Sequence, residues 1–392
     1  MALIRDRWAQ AVALVESTLY VHGGLSDPFN SYSYSSAPAI SDLLVLDLST
    51  SFTSATPPWQ LFSSNSSPAL AWHTLSAFSP TELLLFGGQP DPNSLTVLTD
   101  LNDSSGLLST SSKSDPSFLM EPQNWANEPM RRIRHSSSYT NGKVWLVGGE
   151  KADGSGNAFS DHYSFTPSGP EFGQLPSSSS APPDIYGHAS LVLPDGRLLV
   201  LGGYCASCSD LVPMDTLWSL NTTQNPLVWE KLSISNGSLP TPRRDFAAVV
   251  LSDGQVLIHG GGDGLLQVTY GDGWILDTGQ NPMVWNSVAA LAQLGQRKDH
   301  FAVQAGGDVL FCFGELHELH DHDVPTHIIH IRIRLLLSCI CILINLQSDD
   351  ILDGYVLHCT LSWLDACLHF IASVDTNWFN AKFRWRIGHC SR

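Results

Sequence analysis

Along most of the chain, short apolar runs end on a glycine pair. The copies read STLYVHGG closing at Gly24, TELLLFGG at Gly88, GKVWLVGG at Gly149, GRLLVLGG at Gly203 and GQVLIHGG at Gly261, with a decayed copy, GDVLFCFG, at Gly314. The first glycines, Gly23, Gly87, Gly148, Gly202 and Gly260, and Phe313 in the sixth slot stand 53 to 64 residues apart. Self-similarity at such a period marks a fold built from small stacked units. Apolar runs this short, bounded by turn residues, predict buried strands.

The rest of each unit repeats as well. Upstream lies a strand opening on R-x-x-H or a variant, at Arg7–Gln10, Arg132–His135, Arg243–Phe246 and Arg297–His300, with His73 and His188 in the same column but no arginine. Asp-Gly turns lead into the apolar run in LVLPDGRLLVLGG and VVLSDGQVLIHGG, a strong hairpin signal. A third strand with an acidic start follows, as in SDLLVLDLS, SDHYSF and MDTLWSLN, and then a tryptophan: Trp59, Trp125, Trp229 or Trp285. Four short strands per unit, about six times over, predict an all-β fold, a β-propeller of four-stranded blades. Its ring is either closed or left open by an incomplete last blade.

The glycine-pair signature, the aromatic third strand and the tryptophan resemble kelch repeats, over about residues 5–315. The resemblance implies a propeller whose glycines turn the backbone at the end of the second strand and whose tryptophans fill space between blades. It excludes a phosphate-binding loop, because a strand rather than a helix N-terminus follows each pair. Kelch-type propellers include the copper enzyme galactose oxidase, whose site implies two His and two Tyr ligands, one Tyr cross-linked to a Cys. That set cannot be placed here, so neither a metal nor another cofactor is expected.

Composition agrees and narrows the partners. With 20 Lys plus Arg against 37 Asp plus Glu, the net charge is −17, which argues against nucleic acid. Twelve Trp, 31 Gly and 23 Pro suit strands and turns. The longest apolar run, Leu335 to Leu346, is too short to span a bilayer. No signal-peptide core opens the chain, which reads as cytoplasmic as written. The sequons at Asn65, Asn102, Asn221 and Asn236 lean toward a secreted form with a leader not present here.

Candidate chemistry is confined to a few places. The column His73, His135, His188 and His300, with Arg132, Arg243 and Arg297, could line a ligand pocket at one end of the channel; one residue per blade at equal height is also what pure architecture produces. Cys205 and Cys208, spaced C-x-x-C just after a glycine pair, read as a loop disulfide in an oxidising setting and as inert thiols otherwise. Residues 316–392 break the repeat and hold five of the eight cysteines and a histidine cluster, as expected of a non-repeat segment, disordered or not a genuine product. The expected function is a protein-interaction or ligand-binding scaffold acting through loops at one face, among them the insertions Leu25 to Ser41, Gln89 to Asn124 and Lys151 to Ser160. The alternative is an enzyme with a site at the channel mouth.

Overall fold

The computed structural model describes residues 4–316, apart from 30, 53–55, 65, 92–103, 113–114, 121–124 and 236, and beyond them only the backbone of further strands. Five four-stranded antiparallel sheets follow one another, each in simple sequential order. They start with strands Ala11–Val15, Leu70–Ala77, Ser136–Thr140, Ala189–Val192 and Ala247–Val250. A sixth begins with Phe301–Ala305 and Asp308–Cys312, and its sheet is extended by Ile328–Leu336, Cys339–Asn345 and further strands to Ile387–His389. Among the described residues no helix is long and apolar enough to cross a membrane.

The core is a set of wedges between blades. Leu83 and Leu85 of the second blade pack with Tyr20, Leu43 and Val45 of the first, and Phe86 of the second packs with Val144, Phe165 and Phe172 of the third. The same happens at each later interface, and the last wedge joins Leu310, Cys312 and Phe313 of the sixth blade to Leu19, Val21, Leu44 and Leu46 of the first. Six interfaces for six blades make a closed ring. Each second strand is buried along nearly its whole length, as a strand sandwiched between neighbours must be.

The axis carries a second proof of closure. Third in each R-x-x-H-type stretch stand Ala9, Trp72, Arg134, Gly187, Asp245 and Asp299, all in the left-handed region with φ between 50° and 64°. Each donates its backbone N–H to the carbonyl of its counterpart one blade back. The series runs Trp72 to Ala9 at 2.8 Å, Arg134 to Trp72 at 3.2 Å, Gly187 to Arg134 at 2.8 Å, Asp245 to Gly187 at 2.8 Å and Asp299 to Asp245 at 2.9 Å. Ala9 then donates to Asp299 at 3.3 Å, which closes the circle. Left-handed backbone costs an ordinary residue about 1–2 kcal/mol, a strain the ring of bonds offsets.

Two faces result. Hairpin turns between first and second strands, such as 16–17, 141–142 and 306–307, lie on a turn face. Connections from second to third strands, and from each blade to the next, lie on the opposite loop face. The stretch Gln89 to Asn124, expected as one long insertion, contains the second blade's third and fourth strands, Ser105–Ser109 and Ser117–Met120. Their serine-rich sequence, SGLLS and SFLM, lacks the aromatic or continuous apolar run that marks the other third strands, so the pattern did not disclose them.

Candidate functional site: the loop face and its axial mouth

The glycine pairs sit where one blade touches the next. At Gly148, with φ at 55°, a Cβ would lie 2.3 Å from the Ile185 carbonyl of the following blade, and Gly149, at 98°, donates its N–H to that same oxygen at 2.8 Å. Only a residue without a side chain allows that approach. Equivalent bonds run from Gly24 to Leu70, Gly203 to Arg243 and Gly261 to Arg297, and Gly314 to Arg7 closes the ring.

The histidine column faces these glycines. His73, His135, His188 and His300 are all buried, and the Cε1 of each packs against the first glycine of the preceding blade: Gly23, Gly87, Gly148 and Gly260. Each Nε2 reaches a partner in that blade, namely His22 at 2.8 Å, Thr74 at 2.9 Å, Ser136 at 2.7 Å and His259 at 3.0 Å. Burial holds His73 and His188 at a pKa of about 3, and His135 and His300 well below the usual value. These imidazoles are neutral connectors between blades. Phe246 does the same job against Gly202. At the seam the large side chain changes sides: Phe313 replaces the glycine, and the smaller Gln10 faces it, bonding to the Asp299 carbonyl at 3.2 Å.

The arginine column braces each blade internally. Arg132 and Arg243 donate to the first glycine carbonyls, Gly148 and Gly260, each at 3.0 Å, and pair with the acids that open the third strands, Asp161 at 3.0 Å and Asp272 at 2.8 Å. Arg7, outside the expected set, repeats this on Gly23 and Asp42. Arg297 turns to the carbonyls of Leu294 and Phe313. All are buried, and burial brings Arg7 and Arg297 down to about 10. Their guanidiniums face carbonyls and acids of their own blades rather than the channel.

The tryptophans fill blade interfaces. Trp59 lies 5.9 Å from Phe313, Trp229 lies 5.5 Å from His162, and Trp285 donates to the Met214 carbonyl at 2.9 Å, each reaching the preceding blade. Trp125 differs, standing beyond the fourth strand and stacking on Phe165 of the following blade at 4.8 Å. Cys205 and Cys208 form a disulfide in a hairpin that pairs with Ile185–Tyr186 on the loop face. Of the sequons, Asn65, Asn102 and Asn236 lie outside the described residues, as do the side chains of the His/Cys-rich tail.

The four column histidines, His73, His135, His188 and His300, line an axial cavity of about 150 Å³ together with Gln10, Trp72, Arg134, Asp245, Phe246 and Asp299, so all six blades contribute. Sequence reasoning pointed to the histidines but missed Trp72, Arg134, Asp245 and Asp299, and the expected Arg132, Arg243 and Arg297 are not in the lining. Tyr34, from the first blade's connection, reaches two of these lining residues, Trp72 and Asp299. Its hydroxyl donates to Asp299, whose carboxylate also accepts from Trp72 Nε1 at 3.1 Å. The Tyr34 ring stacks near Trp8 at 6.3 Å, meets Trp72 edge-on at 6.0 Å and lies 4.6 Å from the Lys298 ammonium. Arg134 lies over Trp72 at 4.5 Å and pairs with Glu150 at 2.7 Å and Asp245 at 3.8 Å. Burial, with Asp245 adding to it, raises the Asp299 carboxyl to about 7. Among the described residues no group of three His, Cys, Asp or Glu side chains could hold a metal ion.

Comparison with known proteins agrees with this architecture. A family model described as the KLHDC2/KLHL20/DRC7 Kelch-repeats domain matches residues 72–315. Putative adagio-like protein 2 of Oryza sativa subsp. japonica is 30% identical over 235 residues, covering 57% of this chain and 34% of that protein. The flagellar outer-arm dynein alpha chain of Chlamydomonas reinhardtii is 29% identical over 174 residues, covering 44% of this chain and 4% of that one. The chain thus spans about a third of the adagio-like relative. The solved structure of YjhT superposes with a TM-score of 0.58 at 16% identity, over 84% of this chain and 95% of that one, a likeness of fold alone. With its glycine pairs, closed six-blade ring and a family match over most of its length, the chain belongs to the kelch-repeat proteins.

Proposed function

We propose that the chain is a protein-interaction scaffold whose partner docks on the loop face. The observation that carries this is the placement of exposed apolar side chains. Nine large ones are exposed among the described residues, and six of them, Phe29, Tyr32, Met130, Leu239, Leu265 and Val268, belong to loop-face connections. Tyr139 and Val228 lie toward the turn face and Leu119 on an outer strand. Apolar groups gathered on one face of a soluble protein mark interaction sites. A groove of about 250 Å³ beside Tyr32, lined also by Leu25, Pro38, Ala39 and Pro90, adds relief to that surface. The axial cavity, at about 150 Å³, falls below the roughly 300 Å³ at which small-molecule pockets begin, which disfavours an enzyme site at the mouth.

Differential capture tests this reading. A loop-face variant, F29E/L265E/V268E, and a turn-face variant, Y139E/V228E, are cross-linked in parallel with the wild type in native extract. Proteins bound by the wild type should be lost from the first variant and kept by the second. Equal loss from both, or from neither, overturns the assignment.

A further inference from the structure

We propose that Asn221 carries an N-linked glycan on the turn face. Asn221 ends the third strand of the fourth blade, Thr216–Asn221, and Thr223 stands two residues on, the spacing of an N-glycosylation acceptor. Asn221 and Thr223 are both exposed. Thr222 between them is buried, accepting from Asn141 Nδ2 at 2.6 Å and donating to the Gly196 carbonyl at 2.6 Å. The acceptor pair therefore meets solvent on an anchored turn.

The same corner recurs in other blades, and the comparison separates what the fold needs from what it leaves over. Asp47 ends the first blade's third strand and accepts from the Ser49 N–H at 2.8 Å; Asp277 ends the fifth blade's and accepts from the Gly279 N–H at 3.0 Å. In the fourth blade Asn221 Oδ1 accepts from the Thr223 N–H at 3.1 Å and from its hydroxyl at 2.8 Å. The turn asks only for an oxygen two residues before an N–H. Asn221 also brings Nδ2, which has no hydrogen-bond partner among the described residues and no counterpart at Asp47 or Asp277. Glycosylation uses that atom alone. Nδ2 bonds to the anomeric carbon of a sugar carried on a polyprenyl diphosphate, the carbon–oxygen bond to the diphosphate breaks, the diphosphate leaves with the electron pair, and Nδ2 gives up one proton to base. The amide carbonyl survives, so the turn keeps its acceptor. The cysteines suit an oxidising compartment, where this transfer takes place: Cys205 and Cys208 are joined, and Cys312, the free thiol among the described residues, is fully buried.

The full-length protein isolated from its own cells supplies the test. Peptide N-glycosidase in heavy-oxygen water turns a sugar-bearing asparagine into labelled aspartate, and mass spectrometry of the peptide containing Asn221 should find the label there in most copies, and only when the enzyme is added. Expressed in the same cells, Thr223→Ala should lose the label and Thr223→Ser should keep it. Made in bacteria, without the sugar, Asn221→Asp and the wild type should unfold at the same denaturant concentration, because a carboxylate already serves this turn at Asp277. An Asn221 without label in the source protein, or a label that survives T223A, overturns the proposal. So does an early midpoint for N221D, which would assign the amide nitrogen to the fold. Should T223A not accumulate, the wild-type label decides.

Discussion

On the loop face, most fastenings between blades are specific polar contacts, whereas toward the turn face blades meet mainly through apolar wedges, the bond from Asn141 to Thr222 at 2.6 Å being a polar exception. Glycine pair, histidine column, arginine brace and axial ring all lie at the loop-face end of the strands, together with the longest and most exposed connections. All seven histidines that precede the tail are there too, in the strand ends and connections of that face. The difference shows how a repeat can be both rigid and adaptable at one surface. The backbone of the loop face is tied down blade by blade, so its connections can vary in length and composition without loosening the ring.

The sharpest way to break this contrast uses the same residue type at positive φ on both faces. Gly148→Ala forces a Cβ to within 2.3 Å of a backbone carbonyl and should cost about 4 kcal/mol or more in urea unfolding. Gly142→Ala, in a turn with φ at 74° and nothing within 4 Å of the added carbon, should cost about 1 kcal/mol. Next comes the ion-pair comparison. Arg243→Ala removes a buried guanidinium bound to Gly260 and Asp272 and should lose about 3 kcal/mol; Arg197→Ala, whose partner Asp195 is exposed on the turn face, should lose at most about 1 kcal/mol. Equal costs in either pair would mean that the loop-face contacts are not what binds the blades.

The smallest effect is read from acid. A histidine held near 3 in the folded state but titrating near 6.5 when unfolded binds protons first in the unfolded chain, so its contribution is complete above about pH 6.5 and shrinks as pH falls toward 3. In His188→Phe, the residue type the fifth blade already uses at Phe246, about 2 kcal/mol of the wild type's decline in stability between pH 7 and pH 5 should disappear. Denaturant midpoints at the two pH values check it.

How much of this was legible depends on which part of a residue does the work. The glycine pairs could be read because the absence of a side chain is itself the requirement, and five copies display it. The arginines and histidines could be found as columns, but their geometry could not: the same spacing serves a ligand pocket or a brace, and the structure turns Arg243 toward Gly260 while His188 both reaches Ser136 and lines the axial cavity. The axial ring was hidden because backbone groups build it, leaving Ala9, Trp72, Arg134, Gly187, Asp245 and Asp299 free to differ. Tyr34 belongs to an insertion found in a single blade, where repetition gives no warning. Closure was hidden for a related reason, since the seam swaps glycine and histidine for Phe313 and Gln10.

That seam also sets the order in which the molecule can be made. The N–H of Ala9 waits for the carbonyl of Asp299, a partner at the far end of the propeller in sequence. Each other link in the circle joins neighbouring units and can form as the chain grows; this one must pay the entropy of closing nearly the whole propeller. Until it forms, the first and sixth blades each present an unsatisfied edge wedge. The N-terminal segment from Arg7 to Gln10 is thus the clasp on which the lifetime of the open, association-prone ring depends.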